Sequence, residues 1–389
     1  MAAAMLAVAI VGLLITVAVG GFNGSASKRP TSPSGAAAVP IAPPGGGLSS
    51  PSGPGLVGAG PTSIDFIDPD HGWIATGCLQ CSIDNPVIVR TNDGGHTWQK
   101  IRVPDVTVTT IDEPVWYQYG GIVEVRFVNQ KHGWYLQAGD LWETTNGGTN
   151  WRLTALGGVV RDFTTAGDNA WALVNDCPTS VSTKTCTRFH LYQRTTLDPT
   201  WRRVSTGLSP GSGPLSGALL VADHNSALVD TPKGLFRTTP PGALVAVDPT
   251  CQPVGSLTPG HLLGICNIGG GGNASVVSFD VSTDGGHNWV PLVRGPPTDA
   301  WSGAHTTNGA GVIFYITGGA TLWRIDTVDK TWAPVLQTAP NTTDELFPIY
   351  FADSHDGFVF QGGSSGVQLL ATRDAGLTWN AVPLPPAGS

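Results

Sequence analysis

The chain has little charge. Only 12% of its 389 residues are Asp, Glu, Lys or Arg, and 28 Asp and Glu outnumber 20 Lys and Arg for a net charge of −8. A protein that neutralises phosphates needs a basic patch or stripe, so nucleic acid is excluded as the expected partner. Ligand spacing among the nine His is missing too: no H-x-x-x-H pair occurs, and no metal site is expected from them. The Gly-rich run Gly269 to Gly272 has no Lys-Ser/Thr and no helical pattern after it. That excludes a phosphate cradle and leaves a loop as the expectation. No motif implies a cofactor. What is abundant is Gly, at 52 residues, and Pro, at 31, among many Ser and Thr, a composition that suits short strands joined by turns.

One long apolar run exists, residues 2–21 (AAAMLAVAIVGLLITVAVGG), uncharged and long enough to cross a bilayer. Residues 1–22 are expected to form an apolar helix serving as a transmembrane anchor or a signal segment. Gly24, Ser25 and Ala26 would suit a signal peptidase, but the positive n-region is missing, which tilts the expectation towards an anchor. Lys28 and Arg29 just after the run oppose an exported orientation under the positive-inside tendency, so topology stays open. No Cys lies near the end of the run to take a lipid. Residues 23–60, rich in Pro, Gly and Ser without hydrophobic periodicity, read as a flexible linker. The expected location is therefore membrane-anchored with an extracytoplasmic domain, or secreted, with membrane contact through the N-terminal segment only.

Cysteine usage agrees with export. The six Cys fall as three local pairs, Cys78/Cys81, Cys177/Cys186 and Cys251/Cys266, the pattern of disulfides stapling individual hairpins. Zinc at the C-x-x-C of Cys78 would need a second ligand pair, and none has recognisable spacing.

An eight-residue phrase recurs: Thr91 to Trp98 (TNDGGHTW), Thr144 to Trp151 (TTNGGTNW), Ser282 to Trp289 (STDGGHNW) and Thr372 to Trp379 (TRDAGLTW). In its template, S/T-x-D/N-x-G-x-x-W, the hydroxyl and the Asp or Asn carbonyl accept backbone N–H bonds inside a tight turn, and Gly supplies positive φ. Trp then starts the next strand. Asp93, Asn146, Asp284 and Asp374, with Trp98, Trp151, Trp289 and Trp379, are thus expected to be structural. Weaker versions end at Trp201 and Trp332, so the closing Trp residues at 98, 151, 201, 289, 332 and 379 are spaced by 53, 50, 88, 43 and 47. The gap of 88 is two periods, and a degraded unit is placed near Leu244 and Val245, where GLFRTTPPGALVAV keeps strand, turn and strand.

Units of 40 to 50 residues with four short strands each are the signature of β-propeller blades. The expected fold is all-β, a single seven-bladed propeller over residues 61–386, with six or eight blades as the alternatives. A second phrase, DPDHGW, NQKHGW or SHDGF, joins the first two strands, and an aromatic, Phe66, Phe127 or Phe351, lies seven residues before its closing aromatic. In an up-and-down blade both kinds of turn share one face of the disc. The other face collects longer connections: 78–85, 176–186, the link carrying Cys251, and Pro104 to Gly121.

The octets resemble the Asp box, or bacterial-neuraminidase repeat, and their pairing with H-G-W turns is similar to the photosystem II assembly and stability factor family. Sortilin ectodomains, sialidases and xyloglucan-cleaving glycosidases carry similar boxes. The resemblance implies the propeller and a peripheral, structural role for the boxes; it does not define an activity. The F/Y-R-I-P segment of sialidases is absent: the nearest string, Trp323 to Asp326, ends in Asp rather than Pro. Two surfaces remain as candidate partner or ligand sites. Asp65, Arg126 and Tyr350 precede the innermost-strand aromatics, with Glu124, Arg161 and Asp162 close by in sequence, either ion-paired between blades or open to a polar ligand. The other surface carries Trp116, Tyr117 and Tyr119 beside Asp112 and Glu113, exposed anchors for a partner or a cover over the disc edge. No catalytic residue is assigned. The expected function is a non-catalytic scaffold or assembly factor binding a protein of the cell envelope. A glycan-binding or divergent glycoside hydrolase propeller is the alternative.

Overall fold

Why these repeats fold is visible in a computed structural model that describes residues 61–76, 87–104, 124–137, 139–176, 188–196, 198–208, 219–222, 226–231, 234–239, 243–248, 250–258, 261–271, 274–296, 305–340, 344–363 and 366–384. The N-terminal segment and linker, Cys78, Cys81, Cys177, Cys186, and the stretch with Trp116, Tyr117 and Tyr119 lie outside these residues. The chain divides into residues 1–52 and 53–389, and the second unit is the propeller.

Seven four-stranded antiparallel sheets follow one another, each built from consecutive strands. Blade 1 is β1 to β4 (Pro61–Phe66, Gly72–Thr76, Val87–Thr91, Gln99–Ile101) and blade 2 is β5 to β8 (Glu124–Phe127, Gly133–Gln137, Asp140–Thr144, Arg152–Leu153). Blade 3 is β9 to β12 (Val159–Ala166, Asn169–Asn175, Phe189–Thr195, Arg202–Leu208) and blade 4 is β13 to β16 (Leu219–Ala222, Ala227–Thr231, Gly234–Thr239, Ala243–Ala246). Blade 5 is β17 to β20 (Cys251–Thr258, His261–Gly271, Ala274–Ser282, Val290–Arg294) and blade 6 is β21 to β24 (His305–Thr307, Val312–Thr317, Thr321–Asp326, Thr331–Gln337). Blade 7 is β25 to β28 (Glu345–Phe351, Gly357–Gly363, Gly366–Thr372, Asn380–Val382). The first strand of each blade packs on the first strands of its neighbours, and β25 meets β1, which closes the ring. Blade 4, the unit without a Trp, is present where strand, turn and strand placed it.

The octets form one repeated turn. Thr91 Oγ1 donates to Asp93 Oδ1 (2.8 Å) and accepts from the amide of Gly95 (2.8 Å), while Asp93 Oδ1 accepts from the amide of Thr97 (2.8 Å). The same bonds recur at Thr144, Asn146 and Gly148, at Ser282, Asp284 and Gly286, and at Thr372, Asp374 and Gly376. Two adjacent positions take positive φ, Gly94 (68°) and Gly95 (91°) in blade 1, and in blade 7 Ala375 (57°) and Gly376 (79°). That geometry is why the fifth octet position is always Gly. Trp332 differs: it lies inside β24, opposite Ile325, after a turn with Lys330 at φ 56°, so it marks the blade without reproducing the octet.

The second phrase is an Asx turn. Asp68, Asn129 and Asp353 each accept two backbone amides, for example those of Asp70 (2.9 Å) and His71 (2.8 Å) on Asp68 Oδ1. The two turns of one blade are tied together, as Gly94 N–H donates to Asp70 O (2.9 Å), Gly147 N–H to Lys131 O (2.9 Å) and Ala375 N–H to His355 O (3.0 Å). They therefore share a face.

Packing between blades explains the aromatic spacing. Phe66 stacks on Phe358 of blade 7 (3.7 Å between centroids, 9°), Phe127 on Trp73 of blade 1 (3.7 Å, 6°) and Phe351 on Phe314 of blade 6 (4.2 Å, 18°). Each of these Phe rings also meets its own blade's octet Trp edge to face, Trp98, Trp151 or Trp379. The ring lies directly over the Gly of the H-G-W or D-G-F phrase, where a Cβ at Gly72, Gly133 or Gly357 would run into it. Gly is thus required there by space, and the phrase and its distant Phe are one packing unit.

Two expectations are corrected. Gly269 to Gly271 are not a loop but the end of β18, paired with Val276, Ser275 and Ala274 of β19 across a register shift. Glycine supports this because Gly269 takes φ 132°, open to it alone. Cys251 is not in a link: it begins the innermost strand β17, directly opposite Cys266, and the two form a disulfide with Cα atoms 4.2 Å apart.

Candidate functional site

The innermost strands of blades 1, 2 and 7 bring together four of the predicted channel residues. Strand alternation places Val125 and Phe127 in the core and leaves Glu124 and Arg126 on the opposite side of β5. Arg126 Nη2 pairs with Glu124 Oε1 at 2.7 Å, and Arg126 Nη1 donates to Ser63 Oγ (3.0 Å) and Val125 O (2.9 Å). Asp65 Oδ2 crosses from blade 1 to accept the amide of Phe127 at 2.6 Å. The Tyr350 hydroxyl, from blade 7, donates to Phe66 O at 3.0 Å and also reaches Asp65. Asp162 of β9 is near enough to act on the charge of Arg126. Arg161 and Asp162 each have an interaction partner.

Burial governs the electrostatics. It pushes the Asp65 carboxyl up to about 6, against the pull of Arg126, the Phe127 amide and the Tyr350 hydroxyl, with Glu124 adding to the rise. Burial raises Glu124 as well, opposed by Arg126, and drives the Tyr350 phenol far above its usual range. Burial disfavours the Arg126 charge, yet Glu124, Asp65 and Asp162 outweigh it and hold the guanidinium protonated. With side chains 27% and 16% exposed, Arg126 and Glu124 are enclosed by protein and still reached by water. The group is an internally paired polar lining.

Stability should follow. Asp65 holds its proton more tightly folded than unfolded, so its contribution is full below about pH 4 and lost as pH rises through about 6. Two units correspond to about 2–3 kcal/mol. The octet carboxylates act oppositely, in a lower window. The Thr97 hydroxyl holds Asp93, and the Asn288 amide holds Asp284, at about 2, and these groups cost stability only as pH falls below about 4. Chemical denaturation is expected to show the propeller about 1–2 kcal/mol more stable at pH 5 than at pH 7.5, with most of that gain gone in Asp65→Asn. A gain unchanged in the variant would remove Asp65 as its source.

On the turn face, the octet carboxylates are fully used. Asp93 Oδ2 accepts from Thr97 Oγ1 (2.5 Å), Asp284 Oδ2 from Asn288 Nδ2 (2.6 Å) and Asp374 Oδ2 from Thr378 Oγ1 (2.6 Å). His71 Nδ1 meets Asp68 Oδ1 at 2.8 Å and His96 Nδ1 meets Asp93 O at 2.6 Å, so these imidazoles serve their own turns.

Sequence reasoning missed a set of inter-blade arginines on this face. Arg90 Nη1 donates to Gly147 O of blade 2 (3.3 Å), Arg324 Nε to Ala375 O of blade 7 (3.0 Å) and Arg373 Nη2 to Gly94 O of blade 1 (3.1 Å). The Arg237 guanidinium lies against Gly285 of blade 5. Every acceptor or neighbour is the fourth octet residue. Arg90, Arg237 and Arg324 each stand one residue before a Thr or Ile that opens the turn, a positional signal the sequence carries.

No known family's sequence pattern and no curated protein matches the chain. Among solved structures it is similar to YCF48 bound to D1 peptide, at 18% identity over 82% of this chain and 94% of that chain, with a TM-score of 0.50. YCF48 from Cyanidioschyzon merolae gives 18% identity, 82% and 96% coverage and a TM-score of 0.50. Oligogalacturonate lyase in complex with manganese gives 8% identity, 78% and 86% coverage and a TM-score of 0.53. At these identities the likeness is one of fold.

Proposed function

We propose that this protein is a non-catalytic extracytoplasmic propeller of the Asp-box type that binds a protein partner, as a scaffold or assembly factor of the cell envelope. The observation that carries this reading is the asymmetry of the disc. One face is consumed by turns whose carboxylates, imidazoles and arginines bond one another. At the opposite ends of the strands, β2 is joined to β3, β10 to β11 and β4 to β5 through stretches outside the described residues, and long connections of this kind are where binding residues concentrate. The channel group fits the same reading, since its charges are spent on each other and its phenol is far from ionising. YCF48, a propeller of the same fold, has been seen with a D1 peptide bound.

The test is crosslinking and affinity capture from membranes with the full chain. One stoichiometric protein should be recovered, lost when residues 105–121 are replaced by a Gly-Ser linker and kept in Lys131→Glu on the turn face. Equal recovery from both variants would reject the reading. The carbohydrate alternative keeps one observation in its favour, a water-reachable channel with Asp65 near half-protonated at pH 6. Turnover of sialosides or plant and microbial glycans, abolished in Asp65→Asn, would establish it instead.

A further inference from the structure

Blade 5 carries a buried carboxylate that a structural disulfide does not explain. Asp280, on β19, is 6% exposed. Ser278 Oγ donates to its Oδ1 at 2.5 Å, and its Oδ2 faces Cys251 Sγ at 3.9 Å. A sulfur in a disulfide has no hydrogen to donate, and no ion pair to Asp280 occurs among the described residues. An ionised carboxylate out of water and without a cation is costly. Here it is aimed at two sulfurs, and the ligand atoms of Cys251, Cys266 and Asp280 all lie within 4.8 Å of one another. A tetrahedral zinc ion, with sulfur at about 2.3 Å and carboxylate oxygen at about 2.0–2.2 Å, needs ligand atoms about 3.5–4 Å apart. The Asp280 Oδ2 to Cys251 Sγ distance already matches, and the two sulfurs, bonded to each other in the disulfide, reach that spacing only after the S–S bond is broken.

We infer that blade 5 has two interchangeable staples: the Cys251–Cys266 disulfide when oxidised, and a divalent cation of the zinc class held by Cys251, Cys266 and Asp280 when reduced. The conversion balances with an external dithiol as reductant. Its two electrons and two protons pass to the protein sulfurs, the protein S–S bond breaks, and the dithiol closes to its own disulfide. Binding of the cation then releases both thiol protons to solvent. Asp280 Oδ2 supplies the third ligand atom, and water can take the fourth position. Both forms tie β17 to β18 at the same point, so the innermost strand stays fixed in either redox state.

The experiment uses the full chain with Cys78, Cys81, Cys177 and Cys186 replaced by Ser, so that only this pair reports. After reduction with a phosphine and anaerobic desalting, the protein is titrated with Cd2+, read by thiolate-to-cadmium charge-transfer absorption, and with Zn2+ against a chelating dye. One equivalent should bind to reduced protein and none to oxidised protein. Asp280→Asn should weaken binding at least about 10-fold. Zn2+ should restore the melting temperature lost on reduction in the parent but not in Asp280→Asn. If reduced apoprotein unfolds, recovery of circular dichroism on adding Zn2+ replaces the melting readout. Absence of the charge-transfer band, or equal affinity in Asp280→Asn, would overturn the inference.

Discussion

Replacing Arg194 with Met is expected to destabilise the propeller by about 3–5 kcal/mol, the cost of leaving a buried charge without its partner. Arg194 Nη1 lies 2.6 Å from Glu143 Oε1 across the junction of blades 2 and 3, and the two side chains are only 5% and 6% exposed. The guanidinium also sits 5.5 Å from the centre of the Trp134 ring, but its Nε finds no hydrogen-bond partner. The pair is held by charge and enclosure more than by aligned hydrogen bonds. Arg152, 85% exposed and 3.8 Å from Glu143, is too wet to replace it. Burial of two charges is itself costly, so the double variant Glu143→Leu with Arg194→Met should recover most or all of the loss. Denaturant midpoints of the two single variants and the double close the cycle. Additive losses would show that the ion pair is not what couples these blades.

This pair also shows how far the fold was legible in the sequence. Glu143 and Arg194 each stand just before a Thr that opens a third-to-fourth turn, Thr144 and Thr195, in consecutive repeats. Aligned repeats with opposite charges at one position amount to a prediction of contact, yet the octets drew the reading towards Asp and Trp. Local geometry was legible because it is local: hydroxyl, carboxylate and Gly at fixed offsets can make only one kind of turn. Blade 4 was legible without its Trp because strand and turn chemistry survive there. The arginines themselves carry a positional mark before the turn, but their acceptors do not, because these are backbone carbonyls of the next blade and leave no trace in side-chain type. Gly269 to Gly271 misled for a related reason. Glycine signals a loop by composition, whereas here a neighbouring strand, β19, supplies the pairing that holds it extended. Of the channel residues, Asp65, Arg126 and Tyr350 were found by their place before an aromatic, a register rule that survives from blade to blade. Arg161 and Asp162 were included by sequence proximity, and they stand at a register shift in β9 where simple alternation does not hold.

Phe66→Ala is expected to cost about 3–5 kcal/mol, and its consequences should be localised at the seam of the ring. Each blade is made from consecutive strands, so among the described residues no strand crosses between blade 7 and blade 1. What joins them is side-chain packing and a few hydrogen bonds: the Phe66 to Phe358 stack, Tyr350 to Phe66 O, Trp98 Nε1 to Pro383 O at 2.8 Å, and Arg373 to Gly94 O. Phe66 is 1% exposed and takes part in the first two directly. The equivalent stack between Trp73 and Phe127 joins blades 1 and 2, which the chain already connects. Phe127→Ala should therefore lose comparable global stability, while Phe66→Ala alone should speed hydrogen exchange in β1, β25 and β28 by opening the ring at the junction between its first and last described blades. The space argument adds a sharper condition. Gly72→Ala is destabilising in the parent because its Cβ meets the Phe66 ring. In Phe66→Ala that ring is gone, and the same substitution should cost little. A penalty for Gly72→Ala that persists without Phe66 would mean that backbone, rather than this ring, dictates the glycine of the H-G-W turn.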